Sequence, residues 1–177
     1  MANETTGRIV LKDVRLSFPS LFKRASFDGQ EGKFEATFLI DKNDPQLKKI
    51  EAAMNAKLND YFKGKVPKGL KSCLNDGDEK DYDGYAGMMS LKAASNKRVT
   101  IIDRDKTPLA EEDNKPYAGC YVNASIDFWV QDNNYGKRIN CNLVGVQFSK
   151  DGEPFGAGAI DATDDFDEID DDDDDDI

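Results

Sequence analysis

The chain has 177 residues, with 35 Asp and Glu against 24 Lys and Arg, a formal net charge of −11 and no histidine. The missing imidazole excludes Ser-His-Asp and Cys-His nucleophile systems, His-dependent zinc sites and imidazole acid–base catalysis, leaving any enzyme chemistry to carboxylates, lysine or a hard metal. Twelve of the acids fall in the last seventeen residues, so the preceding 160 residues carry 23 acids against 24 bases and the acidity belongs to a tail, not to the body.

In chain order, the first strand is expected from Arg8 to Phe18, with Val10, Val14, Leu16 and Phe18 on one parity. Lys12 interrupts that parity, which predicts a bend or bulge. Phe18-Pro19-Ser20 ends the strand, and a basic loop follows with Lys23, Arg24 and Lys33 around Asp28-Gly29. A second strand alternates Phe34, Ala36, Phe38 and Ile40 with Glu35, Thr37 and Leu39, one face buried and the other mostly wet. Asp44-Pro45 then supplies a helix cap with proline at the first helical position. Leu47, Ile50, Met54, Leu58 and Tyr61 recur at three- and four-residue steps, predicting an amphipathic helix that runs to Phe62. Residues 65–87 read as a loop, basic first at Lys65, Lys68 and Lys71 and acidic afterwards. Residues 88–94 and 99–102 read as short strands, and 103–116 as another polar loop.

The best-defined element is a long hairpin. Val122, Ala124, Ile126, Phe128 and Val130 form an apolar parity, Asn133-Asn134-Tyr135-Gly136 makes the turn, and the chain returns through Ile139, Cys141 and Leu143. Pairing Asp132 with Lys137 sets Val130 opposite Ile139, Phe128 opposite Cys141 and Ile126 opposite Leu143, so core residue meets core residue. Beyond Leu143 the apolar parity switches to Val144, Val146 and Phe148 around Gly145, which predicts a bulge bending the strand round a corner. About six strands, one helix after the second and a bent terminal hairpin predict a mainly β fold. The expected form is an OB-like, partly closed antiparallel barrel with one inserted helix; a β-sandwich or another α+β sheet is the alternative. Residues 1–155 suit one domain, and residues 156–177 read as a flexible linker and a disordered acidic tail.

The hairpin register also defines an outer face. Tyr121, Asn123, Ser125, Asp127, Trp129 and Gln131 lie outward on one strand, joined by Arg138, Asn140 and Asn142 on the other. Trp129, the single tryptophan, faces Asn140. An aromatic ring on a wet face stacks on any base, cations neutralise phosphates and amides bond to base edges or sugars, so the group suits unpaired nucleic acid. The competing reading is that the helix or a loop covers Trp129, because tryptophans are mostly buried. Tyr135 and Lys137 at the hairpin turn, Arg15, Lys23, Arg24 and Lys33 near the first strands, and Lys97 and Arg98 between the later ones complete the candidate set.

Nothing in the pattern requires a cofactor. Glu79, Asp81, Asp83 and Gly84 imitate the opening of a calcium loop, but the first position is Glu, and Ser90 stands where the bidentate Glu belongs, so no metal site is expected. A carboxylate-metal nuclease built on the acidic 76–83 loop is the enzymatic alternative. Cys73, Cys120 and Cys141 are odd in number and widely spaced, as reduced intracellular thiols are. The N-terminal residues lack the pattern of a secretory leader, and no apolar run is long enough to span a membrane.

Three segments resemble a known family: Gly7-Arg8-Ile9-Val10-Leu11 with Leu16-Ser17-Phe18-Pro19, then Tyr117-Ala118-Gly119-Cys120-Tyr121-Val122-Asn123-Ala124, then Leu143-Val144-Gly145-Val146-Gln147-Phe148 running into Asp151-Gly152-Glu153-Pro154. The family is that of phage-encoded single-stranded DNA-binding proteins with an OB-fold. The resemblance implies a non-enzymatic protein that coats unpaired DNA in replication, recombination or repair, acting in the host cytoplasm as a monomer or dimer. It further implies that the tail, Asp170, Asp171, Asp172, Asp173, Asp174, Asp175, Asp176 and Ile177, recruits partners such as a polymerase or helicase. Many related tails end in an aromatic or Pro-Phe tip, where this one ends in Ile177. A third reading makes the tail a DNA mimic or a chaperone of basic proteins.

Overall fold

A computed structural model of the chain describes residues 8–82, 84–155 and 165–169. The described residues form β1 (Ile9–Ser20), β2 (Ser26–Phe27), β3 (Gln30–Glu31), β4 (Phe34–Asp41), α1 (Gln46–Phe62), β5 (Lys71–Ser72) and β6 (Leu74–Asp76). They continue with β7 (Met88–Ser95), β8 (Thr100–Ile102), β9 (Tyr121–Asn133) and β10 (Gly136–Lys150). The main sheet runs β5-β10-β9-β1-β4-β7-β6, with β8 added beside β10. A short parallel ladder, Cys141 with Ala93 and Asn142 with Ala94, joins β10 to β7 and bends the path β10-β9-β1-β4-β7 round on itself. This is the expected OB-like barrel, mainly β and partly closed.

The hairpin adopts the predicted register: Val130 pairs with Ile139, Phe128 with Cys141, Ile126 with Leu143 and Asp132 with Lys137. The predicted corner is present as a shift between Leu143 and Gly145, after which Val146 and Phe148 are buried. The inserted residue, Val144, stays on the outer side, so it does not join the core parity.

β1 carries the predicted bulge with a different phase. Asp13 has φ 50°, and the pairing with β9 shifts between Leu11 and Val14, both of which are buried. The additional residue reverses the inside–outside alternation, so Leu11, not Val10, enters the core. A second shift between Ser17 and Ser20, with Phe18 at φ 45°, turns Phe18 outward to 57% exposure, where the alternation had placed it inside.

Phe34, Ala36, Phe38 and Ile40 of β4 point inward as expected. Asp44 Oδ1 accepts the Gln46 amide at 2.9 Å while Pro45 already has helical dihedrals, so the pair starts α1 as its chemistry dictates. Ile50, Met54 and Leu58, at four-residue spacing, bury one row of the helix in the barrel core. Each such burial contributes about 1.5–3 kcal/mol. Lys63 at φ 54° and Gly64 at φ 81° stop the helix.

β5 and β6, two and three residues long, lie within a segment whose sequence reads as loop. They are held by β10 and β7, not by any periodicity of their own.

After β10 the chain folds back across the start of β9. Gly119, at φ 105°, packs so closely on this strap that a Cβ there would lie 2.2 Å from the Glu153 carbonyl oxygen. Arg15 locks it: Nε donates to the Gly119 carbonyl at 3.0 Å, Nη2 to the Glu153 carbonyl at 2.6 Å, and the guanidinium sits 4.0 Å from the Phe155 ring centre. The linker residues 156–164 and the run Asp170 to Ile177 lie outside the described residues, as does Asp83.

The three cysteines are free and buried. Burial pushes the Cys73 and Cys120 thiols up to about 11 and the Cys141 thiol well above its ordinary value. Only the thiolate is nucleophilic. We therefore expect no iodoacetamide adduct on the native protein at pH 8 and three adducts after unfolding in guanidinium, read by intact-mass spectrometry. Rapid native labelling of Cys141 would show that the hairpin opens.

Candidate nucleic-acid interface

The barrel presents one polar face where β10 and β7 meet. Trp129, on the outer parity of β9 and paired with Asn140, is 43% exposed, so among the described residues neither the helix nor a loop covers it. It borders a hollow of about 250 Å³ lined also by Lys33, Lys92, Gln131, Arg138 and Asn140. Among the described residues this lining holds three cations and no carboxylate. Asn140 Nδ2 donates to Gln131 Oε1 at 3.1 Å, which fixes the amides beside the indole.

Arg138 is the informative residue. Its Nε is buried and, among the described residues, has no hydrogen-bond partner. A buried N–H without an acceptor costs about 1–3 kcal/mol, more when charged. The guanidinium is thus only partly satisfied within the fold, while the side chain lines the hollow beside Trp129.

Lys92 extends the face. It pairs with Thr37 across β4 and β7, its Nζ lies 3.5 Å from Glu35 Oε2, and it lines a second hollow of about 510 Å³ as well as the first. The groove thus continues from the β9–β10 hairpin over β7 and β4 towards β1.

Not all the residues expected from sequence gather here. Lys33 does, and Arg24 positions it: the guanidinium stacks 5.0 Å over the Phe34 ring, bonds the Gly32 carbonyl at 3.2 Å and bonds the Asn96 carbonyl. Arg24 is thereby a clamp between the first loop and the β7–β8 turn, where Lys97 and Arg98 are exposed. Lys23 is exposed on the same loop, 3.3 Å from Glu111. Tyr135 stands at the hairpin tip, 92% exposed. Lys137 lies on the inner parity beside the helix, its Nζ 5.8 Å from the Phe62 ring centre. Tyr121 and Arg15 sit at the opposite end of β9, Tyr121 beneath Lys150 at 5.0 Å and Arg15 in the strap. The structure does not bring that pair to the Trp129 groove.

Lys92 was missing from the sequence set. Its only local signal is that it breaks the apolar run of β7, and its partners come from distant β4 and β10.

In chain order the strands of the barrel are β1, β4, β7, β9 and β10, and around it β7 closes on β10. The groove runs from the hairpin joining the last two of these, where Trp129 and Arg138 stand, over the third and second towards the loop after the first. That is the surface on which OB-folds hold oligonucleotides and oligosaccharides. The chain is thus an OB-fold barrel that carries a cationic, aromatic groove on that face.

Comparison with known proteins gives the family. Residues 7–177 match the family described as Enterobacter phage Enc34, ssDNA-binding protein, and the chain belongs to it. The single-stranded DNA-binding protein from bacteriophage Enc34, solved in complex with ssDNA, is similar at 33% identity and a TM-score of 0.76, covering 85% of this chain and 90% of that one. A further structure of the Enc34 protein gives 32% identity, a TM-score of 0.75 and coverage of 92% and 91%. Protein p50 of Acyrthosiphon pisum secondary endosymbiont phage 1 is 40% identical over 173 residues, 92% of this chain and 94% of that protein.

Proposed function

We propose that this chain is a sequence-tolerant single-stranded DNA-binding protein that coats and protects unpaired DNA in phage replication, recombination or repair. It does so in the host cytoplasm and without enzymatic activity. The observation that carries the reading is the single hollow that Lys33, Lys92 and Arg138 line together with the exposed Trp129. The cations neutralise phosphates as the strand passes, and Trp129 stacks on a base of any identity. Family membership and the Enc34 relative solved with ssDNA support it.

The acidic tail, appended to a barrel of residues 1–155, acts as a tethered competitor for the same groove. DNA displaces it, and the freed carboxylates recruit basic surfaces on replication proteins such as a polymerase or helicase.

Two carboxylates of the loop on which the nuclease alternative rests, Asp76 and Asp78, are engaged by a lysine. Lys42 Nζ lies 2.7 Å from Asp76 Oδ1 and also bonds Asp78, and these hydrogen bonds hold both carboxyls below their usual range. Among the described residues no group of three His, Cys, Asp or Glu side chains is placed to hold a metal ion.

A gel shift with labelled single- and double-stranded oligonucleotides, each with and without magnesium, tests the proposal. We expect a retarded single strand of unchanged length, tighter than the duplex and independent of magnesium. Magnesium-dependent shortening of the label would establish the nuclease. Absence of any shift, with the tail deleted, would leave only the chaperone reading.

A further inference from the structure

At the far end of the groove from Trp129 stands a second aromatic group, and we infer that it is a second base-stacking station for the same strand; this rests on the DNA-binding reading above. Phe18 and Tyr82 are 57% and 54% exposed, with ring centres 5.0 Å apart in an edge-to-face arrangement. Two large aromatics left in water side by side forgo burial that the adjoining core offers, which marks a contact surface, not packing.

The backbone keeps them there. Phe18 has φ 45°, a conformation that bulky side chains rarely adopt. This kink is what turns its ring away from the barrel. Tyr85 fixes the pair from below: its ring is buried, lies 5.1 Å from Tyr82 and 6.5 Å from Phe18, and its hydroxyl shares a 2.8 Å hydrogen bond with Ser17 Oγ. The two outer rings are thus preorganised on a rigid third.

The surroundings select the ligand. Phe18 and Tyr82 wall the hollow of about 510 Å³ that also holds Thr37, Asn75, Lys80 and Lys92. Lys80 forms no ion pair among the described residues, and Lys92 also borders the Trp129 hollow. Glu35, the carboxylate in this lining, is matched by Lys92 at 3.5 Å. A flat apolar ring flanked by an anion fits this geometry, and a strand threaded past Lys92 places one base on Trp129 and a later one on Phe18 and Tyr82. Aromatic stations at both ends of a cationic groove also set a minimum strand length for full affinity.

Two measurements on the full chain test this. Oligothymidylate carrying 5-iodouracil at successive positions, irradiated on the wild-type protein, is expected to crosslink to Trp129 from one set of positions and to Phe18 or Tyr82 from another, as mapped by peptide mass spectrometry. In a length series, Tyr82→Ala should weaken binding about tenfold, but only for strands long enough to span both stations, whereas Tyr82→Phe should retain affinity. The salt slope of Tyr82→Ala should equal that of wild type, since stacking releases no counterions, while Lys92→Ala should reduce it by about 0.7. Crosslinks confined to Trp129, with Tyr82→Ala matching wild type at every length, would overturn the second station and leave the DNA-binding proposal standing. If wild type and Trp129→Ala alike bound no strand of any length, both would fall.

Discussion

Trp129→Ala is expected to weaken single-strand binding about 5- to 150-fold, the equivalent of about 1–3 kcal/mol for one lost base stack. The substitution is unusually clean. Trp129 is 43% exposed and its cross-strand partner is the polar Asn140, so little core packing depends on it and thermal stability should change little. As the single tryptophan, it also reports on itself: DNA should quench the wild-type indole fluorescence, and a titration of the variant should show no such signal. Trp129→Phe should restore much of the affinity, because a smaller ring still stacks. Arg138→Ala should differ in kind, losing affinity together with salt dependence, since its guanidinium neutralises phosphate. Wild-type affinity in Trp129→Ala would remove the indole from the binding surface and with it the proposed path of the strand.

The parts of this molecule that were legible in sequence are those where neighbouring residues settle the outcome. The hairpin register follows from Val130, Phe128 and Ile126 having only Ile139, Cys141 and Leu143 to meet, since a one-residue slip would put every one of them in water. The same parity placed Trp129 on the outer face. In β1 the interruption at Lys12 announced a bulge, but a bulge reverses parity at a point that the pattern of apolar residues does not mark. Val10 and Phe18 were consequently assigned to the wrong side. Cations were the least legible residues. Arg15 and Arg24 look like phosphate ligands in sequence, yet each has carbonyl oxygens and an aromatic ring to satisfy it within the fold. Lys92 becomes part of the groove only because β7 lies between β4 and β10, a juxtaposition made by barrel closure and not by adjacent residues.

Deleting Asp164 to Ile177 is expected to tighten single-strand binding by on the order of tenfold at about 50 mM salt, with the two proteins converging as ionic strength approaches about 1 M, where the screening length falls to about 3 Å. The direction follows from tethering. The strap holds Phe155 against Arg15 and Gly119, and Phe155 borders a hollow that it shares with Phe18 and Tyr82, so the last residue before the linker stands at one end of the groove. A short tether confers an effective concentration of the order of millimolar, enough for a run of carboxylates to compete with DNA for Lys33, Lys92 and Arg138. Salt should also separate the two proteins by slope. Each phosphate bound by the tailless barrel contributes about −0.7 to the logarithmic dependence of affinity on salt. In the full chain, salt weakens the competing tail as well as the DNA, so the dependence should be shallower. A parallel pair of lines would mean that the tail never occupies the groove, and equal affinities at low salt would leave it with partner recruitment alone.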